Sequence, residues 1–440
     1  MPNTGSTVGR FGRLSQWERT ARAWTGGTRL RRASFDSKGA AAVKRLVIGL
    51  TAFAVVFSLA SPAGAGPNPD PTSGVTSKYV KWIKFIPNEI GTLTGARIVG
   101  HYIYMTSWRS FSIYDVSKPL DPKLVSQTFW GQLGDDPFEF ESEDMPTNGK
   151  VLIMSETAPN DALHVIDVSD PAHPTQVANE ISLPSDTYQW ANHTMSCLYD
   201  CTWLWGSRGA IVDLHDPAHP KLIQRLWSQG LPGMSGHDVV EVKPGFVLTA
   251  TEPMMYLDTR DPVHPKLLAL GHAKDNRFIH SVLWPQAGND KFVLVSGETN
   301  FRPTCTSSKA NGPNANGAFM TWSASGWQKT HTFHMIDQVR VQQGDMVDGN
   351  PPVHVLGCST HWFDNNPTFH NGGVVAEGTY ENGTRFWGIT PDGHIKAMGY
   401  FQPYWGSTSA AYWRTNRVVY SIDYARGFDV LEYTGPLTVK

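Results

Sequence analysis

Four histidines keep one register along the sequence. His193 lies 20 residues before Asp213, and His237 lies 21 before Asp258. The spacing is looser for His361, 27 residues before Gly388, and for His280 in the phrase FIHSVLW. One further unit has Glu143 in the same place, 24 residues before Asp167. A second series is acidic. Glu156 in MSET, Glu252 in ATEP, Glu298 in SGET and Glu377 in VAEG each follow their unit's opening residue by 13 to 18 positions. Imidazoles without thiolates suit copper, iron or zinc. Carboxylates beside ligand histidines orient the rings and fix their tautomers. The expectation is a transition-metal centre, copper or iron ahead of zinc, held by His193, His237, His280 and His361. Glu143, Glu156, Glu252, Glu298 and Glu377 would support the rings or move protons. For any one of these histidines the plain alternative is a hydrogen-bonded residue lining a wet channel.

The elements that must position these groups are written in a repeated phrase. LHVIDVSDPAHP at 163–174 nearly recurs as IVDLHDPAHP at 211–220 and MYLDTRDPVHP at 255–265, with a looser copy, FSIYDVSKPLDP, at 111–122. Alternating apolar residues, an Asp, a turn containing Pro and a second apolar run read as strand, turn, strand. The repeated Asp115, Asp167, Asp213 and Asp258 are spaced by 52, 46 and 45 residues, near the period of four-stranded propeller blades. RFWGITPDGHIK at 385–396, GAFMTW at 317–322 and RGFDVLEY at 426–433 bring the units to seven. The sequence predicts an all-β, seven-bladed β-propeller. YVKWIKFI at 79–86 would add the outer strand to the last blade and close the ring. The Asp would end each third strand, so the four imidazoles would gather at one mouth of the central channel. His173, His219 and His264 belong instead to DPxHP turns on the outer rim. Trp203, Trp205, Trp322 and Trp362 read as packing between blades.

The phrase LHVIDVSDP resembles the repeat of LVIVD-repeat proteins, exported β-propellers. HTMSCLYDC, GHDVVEV, FIHSVLWP and STHWFDNN are similar to that family's blade openings, and the resemblance spans roughly residues 90–435. It implies the fold and export, and little about activity. In arrangement alone, the histidine ring is similar to carotenoid cleavage oxygenases, which hold iron with four histidines on a propeller axis. It is similar too to the selenium-binding protein and methanethiol oxidase propellers, which carry histidines and copper in the channel.

Ahead of the repeats, LVIGLTAFAVVFSLA at 46–60 follows Lys44 and Arg45 and precedes SPAGAG. This reads as a secretory signal with a cut after Ala65, too short for a comfortable membrane span. Translation from Val43 would give it an ordinary basic start. The expected organisation is a leader over 1–65, a linker over 66–78 and one propeller over 79–440. Residues 1–65 hold 10 of the 37 basic and 2 of the 39 acidic residues. The remainder therefore has 27 basic against 37 acidic residues, a net charge of −10, which argues against a nucleic-acid partner. Four cysteines in an exported chain suggest two disulfides. Three pairings are open. Cys197–Cys201, across the turn CLYDC, with Cys305–Cys358, between two long loops, is the favoured one.

No G-x-S-x-G, H-E-x-x-H, P-loop or G-x-G-x-x-G motif occurs. Two functions follow. One is an exported metal-dependent oxidase or oxygenase acting on a small molecule in the channel. The other is a periplasmic, cell-surface or secreted binding scaffold without chemistry, meeting a protein ligand at its loop face.

Overall fold

The computed structural model describes residues 74–88, 93–107, 110–129, 142–155, 162–182, 194–206, 209–225, 231, 236–273, 278–298, 317–340 and 358–440. His193, Glu156, Cys305, the leader and most of the two long loops, 299–316 and 340–357, lie outside the described residues. The chain divides into two compact units, Met1–Asn68 and Pro69–Lys440, and every described residue belongs to the second.

Period-two alternation explains the sheets. In the repeat at 162–167, Leu163 and Val165 face one neighbour, in a cluster with Met195, Leu204 and Val212. Ile166 and Val168 face the other neighbour, in a cluster with Tyr104, Phe111 and Ile113. Successive side chains of a strand point to opposite faces, so a sheet covered on both sides is apolar on both. Each such Val, Leu or Ile contributes about 1.5–3 kcal/mol by its burial. The strands accordingly stack as antiparallel units over 93–129, 151–182, 195–225, 238–271, 279–340, 363–403 and 408–433. Two of them, 238–271 and 279–340, also join at the outer edge, where Leu270 and Gly271 pair in parallel with Thr332 and Phe333.

The repeated phrase has one structural meaning. Asp115 pairs with Lys123, Asp167 with Thr175, Asp213 with Lys221 and Asp258 with Lys266, eight residues on each time. Each Asp accepts the backbone N–H two residues later, which starts the turn. Just before the Asp, the fourth strand carries one extra residue: Val125, Val177, Ile223 and Leu268 have no register partner. The same bulge recurs before Ser323, Gly388 and Glu432, at Ile336, Met398 and Ile83. A bulge bends and twists the outer strand. Here it drops an apolar side chain onto the neighbouring cluster at Val125, Leu268, Ile336, Met398 and Ile83. GAFMTW lies in the third strand of its unit, Ala318–Ser323.

The strand Val80–Pro87 runs antiparallel to Gly427–Tyr433, with Lys81 opposite Glu432 at the repeated Asp–Lys position. Gly74–Thr76, inside the stretch expected to be linker, pair with Pro403–Phe401 as a fifth strand of 363–403. Trp205 and Trp322 are fully buried between units. Cys197 and Cys201 form a disulfide. Cys358 is disulfide-bonded as well, and its expected partner, Cys305, lies outside the described residues. Among the described residues no helix is long and apolar enough to cross a membrane.

Candidate metal centre

First strands of neighbouring units pack on one another: Met195–Leu198 on Asp238–Lys243, that on Ile279–Leu283, and Phe363–Asn365 on Thr408–Trp413, which meets Leu93–Val99. A hoop of hydrogen bonds links the starts of these strands. Thr194 Oγ1 donates to the His237 carbonyl. His237 Nδ1 reaches the His280 carbonyl at 3.1 Å, and Ser281 Oγ the His361 carbonyl at 3.1 Å. His361 Nδ1 meets the Ser409 carbonyl at 2.7 Å, Ser409 Oγ the Thr94 carbonyl at 2.6 Å, and Thr94 Oγ1 the Ser142 carbonyl at 3.0 Å. Neighbouring strands enter the centre side by side, and four residues near these hydrogen bonds converge.

Those residues are Glu143, His237, His280 and His361. Nε2 of His237 and of His280 each lie 3.4 Å from Glu143 Oε2, and Nε2 of His361 lies 3.5 Å from the same oxygen. The rings follow one another, with centroids 3.7 Å apart for His237 and His280 and 3.9 Å for His280 and His361. All four residues are buried. Gly95 makes room for Glu143, since a Cβ at Gly95 would sit 1.6 Å from the Glu143 carbonyl oxygen.

The tautomers follow from the hoop. A carbonyl only accepts, so Nδ1 of His237 and of His361 carries a hydrogen, and in the neutral ring Nε2 carries the lone pair. That is the tautomer in which an imidazole binds a metal through Nε2. A tetrahedron of four donors, each about 2.1 Å from a central ion, has edges of about 3.4 Å. The three separations from Glu143 Oε2 match that edge. The ligand atoms of Glu143, His280 and His361 lie within 4.8 Å of one another and can share one ion, while His237, which meets the same oxygen, stands outside that mutual set and would have to move inward to complete four donors.

The electrostatics are those of a buried carboxylate among aromatic and imidazole rings. Burial most strongly disfavours the charged form of His361, but the Glu143 and Glu298 carboxylates and the Ser409 carbonyl together outweigh it, and the pKa stands above the ordinary histidine value. Burial, reinforced by Glu143 and Glu298, lifts the Tyr424 and Tyr380 phenols well above theirs, so both remain hydrogen-bond donors. Tyr424 donates to Glu143 Oε1 at 2.6 Å, Trp362 Nε1 to Glu143 Oε2 at 3.2 Å, and Tyr380 to Glu298. Tyr380 sits at a backbone φ of 54°, a conformation that costs a non-glycine residue energy and is held here by the surrounding structure. One step along the strands, Asp144 pairs with Arg97 at 3.6 Å. Asp238 is pushed far above the usual carboxylate range by burial and by Asp144.

The residues singled out in the sequence divide clearly. The structure brings His237, His280 and His361 together around Glu143, which stands among the candidate donors rather than behind them. Glu298 is close enough to act on His361 electrostatically. Glu252 does not face the rings: it accepts from His272 Nδ1 at 3.2 Å and the Ala273 N–H at 3.0 Å. Glu377 lies inside a strand and accepts from Ser296 and Trp387. Tyr380, two residues past that strand's end, takes the place by the rings. The rim histidines pair with their own turns, His173 with Asp170, His219 with Asp216 and His264 with Asp261, and all three are exposed.

A family model described as LVIVD repeat matches residues 94–128 and 158–179, the first unit and the Asp167 repeat. The chain carries LVIVD repeats in these two stretches. No curated protein matches its sequence. Among solved structures, the chain is similar to the WD40 repeats of RRP9, with TM-score 0.52 at 9% identity over 83% of this chain and 100% of that one. The C-terminal WD40 domain of Sif2 gives 0.51 at 9% identity, over 81% and 99%. At such identities the likeness shows the fold, a β-propeller, and leaves function to be argued from the site.

Proposed function

We propose that this LVIVD-repeat propeller is an exported protein that binds one transition-metal ion between Glu143, His237, His280 and His361. We further propose that it uses the ion in an oxidase or oxygenase reaction on a small molecule. The observation that carries the reading is the convergence of three imidazole Nε2 atoms on a single carboxylate oxygen at 3.4–3.5 Å. Three nitrogens and one oxygen without thiolate suit copper or iron, with zinc the lesser fit. A copper or iron ion bound there supplies one-electron redox chemistry. The chain's own part is to present the donors in fixed tautomers and to keep the pocket buried. The aromatic wall of Phe278, Trp362, Tyr380 and Tyr424 beside the imidazoles favours a small, largely apolar substrate.

The test is metal analysis of protein purified from the exported compartment, followed by oxygen-uptake assays of the loaded form. About one copper or iron per chain is expected, lost in His280→Ala without change in circular dichroism. Protein that neither carries nor takes up copper, iron or zinc overturns the reading and leaves a binding scaffold. Export is checked by N-terminal sequencing of the mature chain, expected to begin at Gly66.

A further inference from the structure

Glu143 presents its two carboxylate oxygens to different neighbours. All three imidazoles meet Oε2, at 3.4 to 3.5 Å. Oε1 accepts the Tyr424 hydroxyl at 2.6 Å, and Oε2 also accepts Nε1–H of Trp362 at 3.2 Å. The two donors come from different units. Tyr424 lies one residue past the strand Val418–Asp423, and Trp362 one residue before Phe363–Asn365. Both side chains are buried. Left alone, the last torsion of a glutamate is broad, so an unheld carboxylate beside an ion would offer one oxygen or both.

We infer that Tyr424 and Trp362 are positioning residues that hold Glu143 as a one-oxygen donor and thereby set the coordination number of the centre. The inference rests on the metal reading above. The phenol engages Oε1, the carboxylate oxygen that the imidazoles do not meet. The indole N–H takes one lone pair of Oε2 and leaves the other toward the three Nε2 atoms, since an ionised carboxylate oxygen has two. Neither group is itself a donor to the ion. Tyr380 also lies against His361, at 4.7 Å between centroids, and its hydroxyl goes to Glu298 rather than to Glu143.

Cobalt(II) reports coordination number directly, because its four-coordinate complexes absorb visible light far more strongly than its five- or six-coordinate ones. Metal-free wild-type protein titrated with cobalt(II) should develop strong visible bands. Tyr424→Phe frees the carboxylate to turn and chelate, so the bands should weaken. The affinity should fall about 10- to 100-fold, the usual effect of removing a ligand's hydrogen-bond partner. Trp362→Phe should act in the same direction, while His219→Ala, in an exposed rim turn, should leave the bands unchanged. In a Glu143→Gln background, adding Tyr424→Phe should change neither quantity, because effects transmitted through one group are not additive. Circular dichroism and melting establish the fold of each variant, and if Tyr424→Phe is unfolded, Trp362→Phe decides. Unchanged bands and affinity in the folded variants overturn the inference and leave the metal centre standing. A full further loss in the Glu143→Gln background does the same. Wild-type protein that binds no cobalt overturns both.

Discussion

Nδ1 of His361 lies 2.7 Å from the carbonyl oxygen of Ser409, and this one hydrogen bond joins two units and orients a candidate donor. The same carbonyl accepts the Trp362 backbone N–H at 3.3 Å. His361→Ala therefore removes one of two donors to Ser409, leaves a cavity and takes Nε2 from the centre. Metal-free His361→Ala should be about 1–3 kcal/mol less stable by urea unfolding. It should also lose measurable metal binding by titration. Wild-type metal affinity in this variant would remove His361 from the centre.

The rim histidines should behave differently. His219 is exposed and paired only with Asp216 in its own turn. His219→Ala should change stability by no more than about 0.5 kcal/mol and leave metal affinity alone. A metal-affinity loss here would mean that the ion sits on the rim.

Glu377 makes stability depend on pH. Burial lifts its carboxyl to about 8, against the opposing pull of the Trp387 and Ser296 hydrogen bonds. In the unfolded chain it ionises near about 4.3. Between those values the folded protein keeps a proton that the unfolded chain has released. The contribution of Glu377 is thus fully present below the unfolded pKa and is lost as pH rises through about 8. Metal-free protein should melt at a lower temperature at pH 8 than at pH 6, and Glu377→Gln should flatten that slope. An undiminished slope in Glu377→Gln would assign it to other carboxyls that burial lifts, Asp364 and Asp429 at about 7 and Asp238.

Much of the fold was legible because the repeat writes the register of strands three and four. Asp115, Asp167, Asp213 and Asp258 each mark a strand end and a turn, and local hydrogen bonds enforce both. His237, His280 and His361 could be picked out by counting back from those marks, while His193 lies outside the described residues. The acidic series was less so, because strand lengths vary. Counting placed Glu377 beside the rings, whereas the loop-outward position of that unit is Tyr380. Aligning the ends of the second strands gives the better signal. Glu298 and Tyr424 each come one residue after such an end, and Glu252 and Tyr380 two. Trp362 was read as packing, and it does pack, but its N–H reaches a carboxylate 219 residues away in sequence. No spacing rule carries a contact of that kind.

The last prediction concerns a residue with no functional group. Gly95 lies in the strand Leu93–Val99, and a Cβ there would come within 1.6 Å of the Glu143 carbonyl oxygen and 2.5 Å of its carbonyl carbon. Glu143 cannot simply retreat. The Ser142 carbonyl beside it is held by the Thr94 hydroxyl at 3.0 Å and the Thr106 hydroxyl at 2.6 Å. Gly95→Ala must therefore displace the backbone that carries Glu143, breaking the convergence on Oε2 and straining the strand. The expected cost is about 1–3 kcal/mol of stability, as for overpacking a tight interior, together with a clear loss of metal affinity. Gly100 is the control. It has a φ of 59° and open space around its Cα, so Gly100→Ala costs only the left-handed backbone penalty of about 1–2 kcal/mol. Both variants should melt lower than wild type, but only Gly95→Ala should bind metal more weakly. Equal metal affinity in the two would show that the position of Glu143 does not govern the centre.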